Sequence, residues 1–254
     1  MTQPLLELKG VVKSFGANHV LKGVDLDVAP GQSLVVLGGS GSGKSVMLKN
    51  ALGLMTPNEG QVIFDGADVT YGTGREREAM RARIGMLFQS AALFDSLTVW
   101  ENVAFRLIHA DGIHRREARD RAIAALKKVR LGATAADLKP AEISGGMQKR
   151  VGLARAIISE PDLIFFDEPT TGLDPITADA INDLIIEQVK ALGAAAVSIT
   201  HDMASARKIA DRVSFLFEGK IIWNGSASEI DAPGNEYVDQ FVHGRAEGPI
   251  QPAL

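Results

Sequence analysis

The chain has no cysteine among its 254 residues. That excludes disulfides, thiolate chemistry and cysteine-based metal sites, and it fits a reducing cytosol. It also lacks any apolar run approaching the ~18 residues of a membrane-spanning helix, so action at a membrane would go through a partner. Basic excess is missing as well: 27 Lys and Arg stand against 31 Asp and Glu, a formal net charge of −4 at pH 7. With no basic tail, the chain encodes no long-range attraction to nucleic acid or to an anionic membrane surface. The opening residues interrupt their apolar stretch with Glu7 and Lys9, which is not the pattern of a secretory leader. His19, His109, His114 and His243 show no ligand spacing. What is present is 46% apolar and 23% charged residues, the balance of a globular chain able to bury a sizeable core.

The most informative stretch is residues 34–48. Leu34 to Leu37 is an unbroken apolar run, the mark of a strand buried on both faces. Gly38-Gly39-Ser40-Gly41-Ser42-Gly43-Lys44-Ser45 follows and leads into Val46-Met47-Leu48, so a glycine-rich loop closing on Lys-Ser stands between a strand and a helix, the P-loop pattern. Gly38, Gly41 and Gly43 can take backbone angles that turn N–H groups inward around phosphate oxygens at the positive end of the helix. Lys44 would reach the β- and γ-phosphates, and the Ser45 hydroxyl would ligate Mg²⁺.

Ahead of this loop, residues 5–13 and 20–28 alternate, with Val24, Leu26 and Val28 on one face, which predicts a small antiparallel sheet. Phe15 lies beside the glycine turn between the two strands; its ring could stack on an adenine or fill a local core. Beyond the P-loop helix, Gln61 to Gly66 reads as another short strand. Residues 74–83 carry Arg75, Glu76, Arg77, Glu78, Arg81 and Arg83, a solvated helix face. Ile84 to Phe88 reads as a buried strand ending at Gln89. From Gln89 to Glu160 the pattern is largely helical, with linkers at 110–114 and 131–134. Ala118, Ala122, Ala125, Leu126 and Val129 form one narrow apolar stripe.

Ser144-Gly145-Gly146 opens a helix, and such an N-terminus is a second anion-binding device. Leu163 to Phe166 is a buried run followed by Asp167 and Glu168. Carboxylates at the end of such a strand stand over the edge where doubly wound sheets bind ligands. Asp167 could hold Mg²⁺ and Glu168 could polarise an attacking water. Asp174 reads as an N-cap with Pro175 at the first helical position, ahead of a helix with Ile181, Leu184, Ile185, Val189 and Leu192 on one face. Ala194 to Thr200 is a third buried strand, ending at His201, which could sense a γ-phosphate. Residues 213–223 read as a closing hairpin.

In this order the motifs resemble the ATP-binding-cassette ATPases over nearly the full chain. Residues 38–45 match Walker A, Gln89 the Q-loop, residues 144–148 the signature, residues 163–168 Walker B, Gly172-Leu173-Asp174 the D-loop and His201 the switch histidine. The resemblance implies an α/β P-loop fold with a mixed or parallel core sheet, an N-terminal antiparallel β-subdomain and an inserted α-helical subdomain. Its expected divisions are a nucleotide-binding core at 1–89 and 161–225, a helical subdomain at 90–160 and a C-terminal extension at 226–254. ATP and Mg²⁺ would be bound by Phe15, residues 38–46, Gln89, Asp167, Glu168, Asp174 and His201, with Ser45, Gln89 and Asp167 as metal ligands. Two cassettes would close head to tail, so that Ser144, Gly145 and Gly146 of one copy meet the γ-phosphate held by Lys44 of the other. Gly39 stands where many members have Pro, Val46 where many have a second Thr, and Met147 replaces the common Gln.

Within the family, Leu87 to Phe105, with Asp95-Ser96 where many importers have Pro-His, is similar to the ATPases of MCE-type lipid transporters, the Mla phospholipid system especially. Phe241 with residues 244–249 is similar to a C-terminal extension that meets the second ATPase and a small STAS-domain regulator. The resemblance implies a membrane permease and an MCE-domain protein as partners, with the chain at the cytoplasmic face of an inner membrane. Leu93, Phe94 and Leu97 would face the permease or complete the helical core. An ATPase of an amino-acid or other small-solute importer is the alternative. A cassette clamp acting on nucleic acid would carry coiled-coil insertions, paired cassettes or basic stretches, which this sequence lacks.

Overall fold

The computed structural model describes residues 3–251. Its first elements are β1 (Leu6–Phe15), β2 (Asn18–Val28), β3 (Ser33–Leu37), α1 (Lys44–Ala51), β4 (Glu59–Phe64) and β5 (Ala67–Asp68). Next come α2 (Gly74–Ala82), β6 (Ile84–Leu87), α3 (Val99–His109), α4 (Arg115–Lys128), α5 (Gly145–Ile157), β7 (Leu163–Asp167) and α6 (Pro175–Leu192). The chain continues through β8 (Ala195–Thr200), α7 (Met203–Ile209), β9 (Arg212–Phe217), β10 (Lys220–Ser226) and α8 (Glu236–Val242). A four-stranded sheet takes the order β2-β1-β4-β5 and a six-stranded one the order β10-β9-β3-β8-β7-β6. The first is antiparallel, pairing Leu8 with both Leu26 and Val62, so alternating apolar residues reach one buried face. The second is mixed: β3 runs parallel to β9 and β6 parallel to β7, while β10 returns antiparallel along β9.

The chain divides into two compact units, one up to residue 78 and from residue 197 onward, the other from 79 to 196. In the first, Val35 and Leu37 of β3 pack with Val213 and Phe215 of β9 and with Val238 and Val242 of α8. The Phe215 and Phe241 rings meet edge to face at 5.0 Å, a geometry their quadrupoles favour. Residues following α8 fold back on the same unit. Buried Gln240 donates through Nε2 to the carbonyls of Arg245 and Ile250, and its Oε1 accepts the Ile250 N–H.

In the second unit the α4 stripe, Ala118, Ala122, Ala125 and Leu126, is buried against a core that includes Val103, Leu107, Val151, Leu153, Phe166 and Leu184. Small residues let the backbones approach. At Gly85 of β6 a Cβ would stand 2.3 Å from the Ala156 carbonyl oxygen of α5. α3 starts at a reciprocal cap, in which the Thr98 N–H and hydroxyl both donate to the Glu101 carboxylate.

Two local expectations are corrected. The strand expected over 61–66 begins at Glu59 and stops at Phe64, because Asp65 and Gly66 take φ of 50° and 78°, left-handed values that turn the chain into β5. β6 stops at Leu87, and Phe88 is 39% exposed. Its ring lies 5.9 Å from the Arg155 guanidinium. Leu93 packs partly on the helical core, while Phe94 is exposed and stacks on Phe105 at 4.6 Å.

Candidate nucleotide-binding site

In the first unit, fully buried Leu34 to Leu37 deliver Gly38 to the end of β3. A Cβ on Gly38 would lie 2.3 Å from the Leu216 carbonyl oxygen and 2.8 Å from Ser42 Oγ, so only glycine fits. Gly41 and Gly43 take φ of 78° and 108°, which glycine adopts without steric cost. Gly43 is the N-cap of α1 and no side chain caps that end, which leaves the positive helix terminus to an anion. Lys44 Nζ folds over the loop and donates to the carbonyls of Gly38 at 2.6 Å and Gly39 at 2.9 Å. Ser42 Oγ is buried with no hydrogen-bond partner. Ser40 and Ser45 are exposed, and the Val46 carbonyl accepts from Asn50 Nδ2. An uncapped helix N-terminus, an ammonium group over it and an orphaned hydroxyl are the donor set a polyphosphate requires, so the residues present fit that group.

Phe15 ends β1 and is 49% exposed, and Lys13 Nζ lies 5.6 Å from its ring centroid. Half exposed, it presents a ring on which a base could stack. Exposed His201 directly follows β8. Its neighbour Asp202 caps α7 by accepting the N–H groups of Ala204 and Ser205.

In the second unit, Gln89 stands exposed two residues past β6. Asp167 ends β7, and Glu168 follows at φ 48°, 9% exposed, its Oε2 accepting from the Thr171 hydroxyl at 2.9 Å. Ser144 caps α5 by accepting the Met147 N–H. A Cβ on Gly145 would meet nothing within 4 Å, whereas one on Gly146 would lie 2.9 Å from Thr177 Cγ2. Asp174 caps α6, accepting from the N–H groups of Ile176 and Thr177. The Thr177 hydroxyl chiefly, then these amides, hold its carboxyl below the ordinary carboxylate value.

The family model for ABC transporters matches residues 21–171. The chain belongs to the ABC transporter family. This ABC transporter chain is 40% identical over 263 residues to protein TRIGALACTOSYLDIACYLGLYCEROL 3, chloroplastic, of Arabidopsis thaliana, covering 97% of this chain and 76% of that protein. It is 37% identical over 252 residues to the intermembrane phospholipid transport system ATP-binding protein MlaF of Haemophilus influenzae, covering 99% and 95%. Among solved structures it resembles the dimeric ATP-binding cassette MJ0796, in a post-hydrolysis state bound to ADP and Pi, with TM-score 0.80 and 34% identity over 87% of this chain and 98% of that one.

Two cations of this ABC transporter chain lie outside the motifs named above. Lys149 of α5 is buried and donates to the carbonyls of Gln89 and Glu168. Burial lowers its pKa from the ordinary lysine value, while the Glu168 and Asp167 carboxylates oppose that shift. Arg155 donates to the carbonyls of Ala91 and Ala92, consecutive residues with φ of 58° and 45°. Lys149 shares a buried side of α5 with Leu153 and Ala156, a register that shows only once the helix is seen to be covered there.

Proposed function

We propose that this chain is the ATP-hydrolysing subunit of a transporter that moves phospholipids between membranes. The P-loop carries the ATPase part of this reading: Lys44 lies over an uncapped α1 terminus, with Ser42 Oγ orphaned beside it. The near full-length similarity to MlaF supports the lipid cargo.

Phosphoryl transfer asks a protein chiefly for positioning and charge neutralisation. Loop amides and Lys44 hold the β- and γ-phosphates, and Phe15 stacks on the adenine. Ser45, Gln89 and Asp167 would hold Mg²⁺. The ion supplies neutralisation of charge on the phosphate oxygens. Glu168 orients the attacking water, with Thr171 fixing one of its oxygens, and His201 reaches the γ-phosphate. Ser144, Gly145 and Gly146 of a second copy complete the site, the open surface at Gly145 admitting a ligand, and Asp174 belongs to the same closing face.

No helix among the described residues is long and apolar enough to cross a membrane. In this reading the chain acts peripherally, through a permease at the cytoplasmic face of an inner membrane, with an MCE-domain protein as substrate carrier. A STAS-domain regulator would dock at the C-terminal segment.

Glu168→Gln tests the chemistry: ATP binding is retained and turnover falls about 10²- to 10⁴-fold, the usual contribution of general-base catalysis. Wild-type turnover would remove Glu168 from its role. For the cargo, the tagged chain is purified from its own membranes in mild detergent. A permease, an MCE-domain protein and bound phospholipid are expected, and a permease with neither of the other two would transfer the substrate to another class.

A further inference from the structure

α5 begins at the Ser-Gly-Gly turn, and one of its side chains reaches two other motifs at once. Lys149 is 5% exposed. Its Nζ donates to the Gln89 carbonyl at 2.5 Å and to the Glu168 carbonyl at 3.1 Å. A lysine has three donors and no acceptor; these two carbonyls take two of them, and burying the ammonium between them fixes their separation. Glu168 needs such fixing: its φ of 48° is a left-handed value that a residue with a side chain keeps only when its surroundings enforce it. The Glu168 carbonyl accepts from Lys149 Nζ and from the Thr171 N–H, and the same residue's carboxylate accepts from the Thr171 hydroxyl.

We propose that Lys149 is a positioning residue for ATP hydrolysis, a brace between two backbone carbonyls that holds the water-orienting Glu168 in register with Gln89. This rests on the roles given above to Glu168 and Gln89. The brace ends on backbone carbonyls and is buried. It acts through the backbone of Gln89 and Glu168, and because it stands on α5, it ties both to the helix that opens at Ser144.

The test compares full-length wild type, Lys149→Met, Lys149→Gln, Lys149→Arg and Glu168→Gln by steady-state ATP hydrolysis, equilibrium ATP binding and thermal melting. Lys149→Met keeps the length and removes the donors. Its kcat is expected to fall roughly a hundredfold, the scale of an ångström-level misplacement, while KM and ATP affinity stay at wild-type values. Lys149→Arg, whose guanidinium can span both carbonyls, restores most of the turnover, and Lys149→Gln falls between. Wild-type kcat in folded Lys149→Met, or in folded Lys149→Gln should the first variant not fold, overturns the brace. So does a loss shared equally by kcat, ATP affinity and melting temperature with no rescue by arginine, which is what a packing role gives. Full turnover in Glu168→Gln would strike the underlying reading; an inactive Glu168→Gln beside a fully active Lys149→Met would strike the brace alone.

Discussion

One methyl group separates glycine from alanine, and two neighbouring glycines of the phosphate loop differ sharply in the room they leave for it. On Gly38 that methyl would stand 2.3 Å from the Leu216 carbonyl oxygen, a backbone atom, while on Gly39 it would meet nothing within 4 Å. Gly38→Ala is therefore expected to destabilise the protein by about 1–3 kcal/mol, the range for overpacking, and to weaken ATP binding, whereas Gly39→Ala leaves both near wild type. Thermal melting and equilibrium ATP binding check the pair, and equal behaviour of the two variants would contradict the close approach of β3 and β9. The P-loop glycines were legible because motif and spacing name them. Lys149 and Arg155 were not, because a cation on an amphipathic helix reads as solvated until the carbonyls of Gln89, Ala91, Ala92 and Glu168, distant in sequence, are placed against it.

At the level of single elements, helix ends and helix faces carry separable contributions. The Glu101 carboxyl of the α3 cap is held below its ordinary value of 4.5 chiefly by the Thr98 N–H, with help from Arg115 and the Thr98 hydroxyl. A carboxylate whose pKa is depressed on folding stabilises fully above its unfolded pKa and loses that contribution as pH falls through the lowered value. Comparing wild type with Glu101→Gln, the difference in melting temperature is expected to be flat from about pH 7 to about pH 5 and to shrink below about pH 4.5. A difference unchanged at acid pH would mean that the charge contributes nothing. On α4, fully buried Leu126 closes a stripe otherwise made of alanines. Leu126→Ala should cost about 2–5 kcal/mol by urea denaturation. The stripe and both caps, Asp174 and Ser144, were readable from residue type and spacing. Phe88 was not, since an apolar run carries no mark of the residue at which β6 gives way to the turn.

Across the whole molecule, ligand binding and stability are linked by mass action. A ligand that binds only the folded chain stabilises it by about 2.7 kcal/mol at a hundred times its Kd. ATP should therefore raise the melting temperature of wild type and of Glu168→Gln, and leave that of Lys44→Ala unmoved. A shift in Lys44→Ala equal to that of wild type would place the triphosphate elsewhere. Fold class and family were legible because six motifs follow one another in a fixed order. How the residues after α8 pack was not, because hydrogen bonds from one glutamine side chain to the backbone leave no periodic trace.

Those glutamine bonds also set a clock. The Ile250 N–H is held by Gln240 Oε1, on a buried side chain whose own amide grips the Ile250 carbonyl, and Ile250 packs against the core beneath α8. Amides outside helices and strands ordinarily exchange with deuterium nearly as fast as free peptide, but that of Ile250 waits for the clasp to open. Its protection should vanish in Gln240→Ala while amides in β3 keep theirs, a separation of rates that reports how often the segment after α8 lets go.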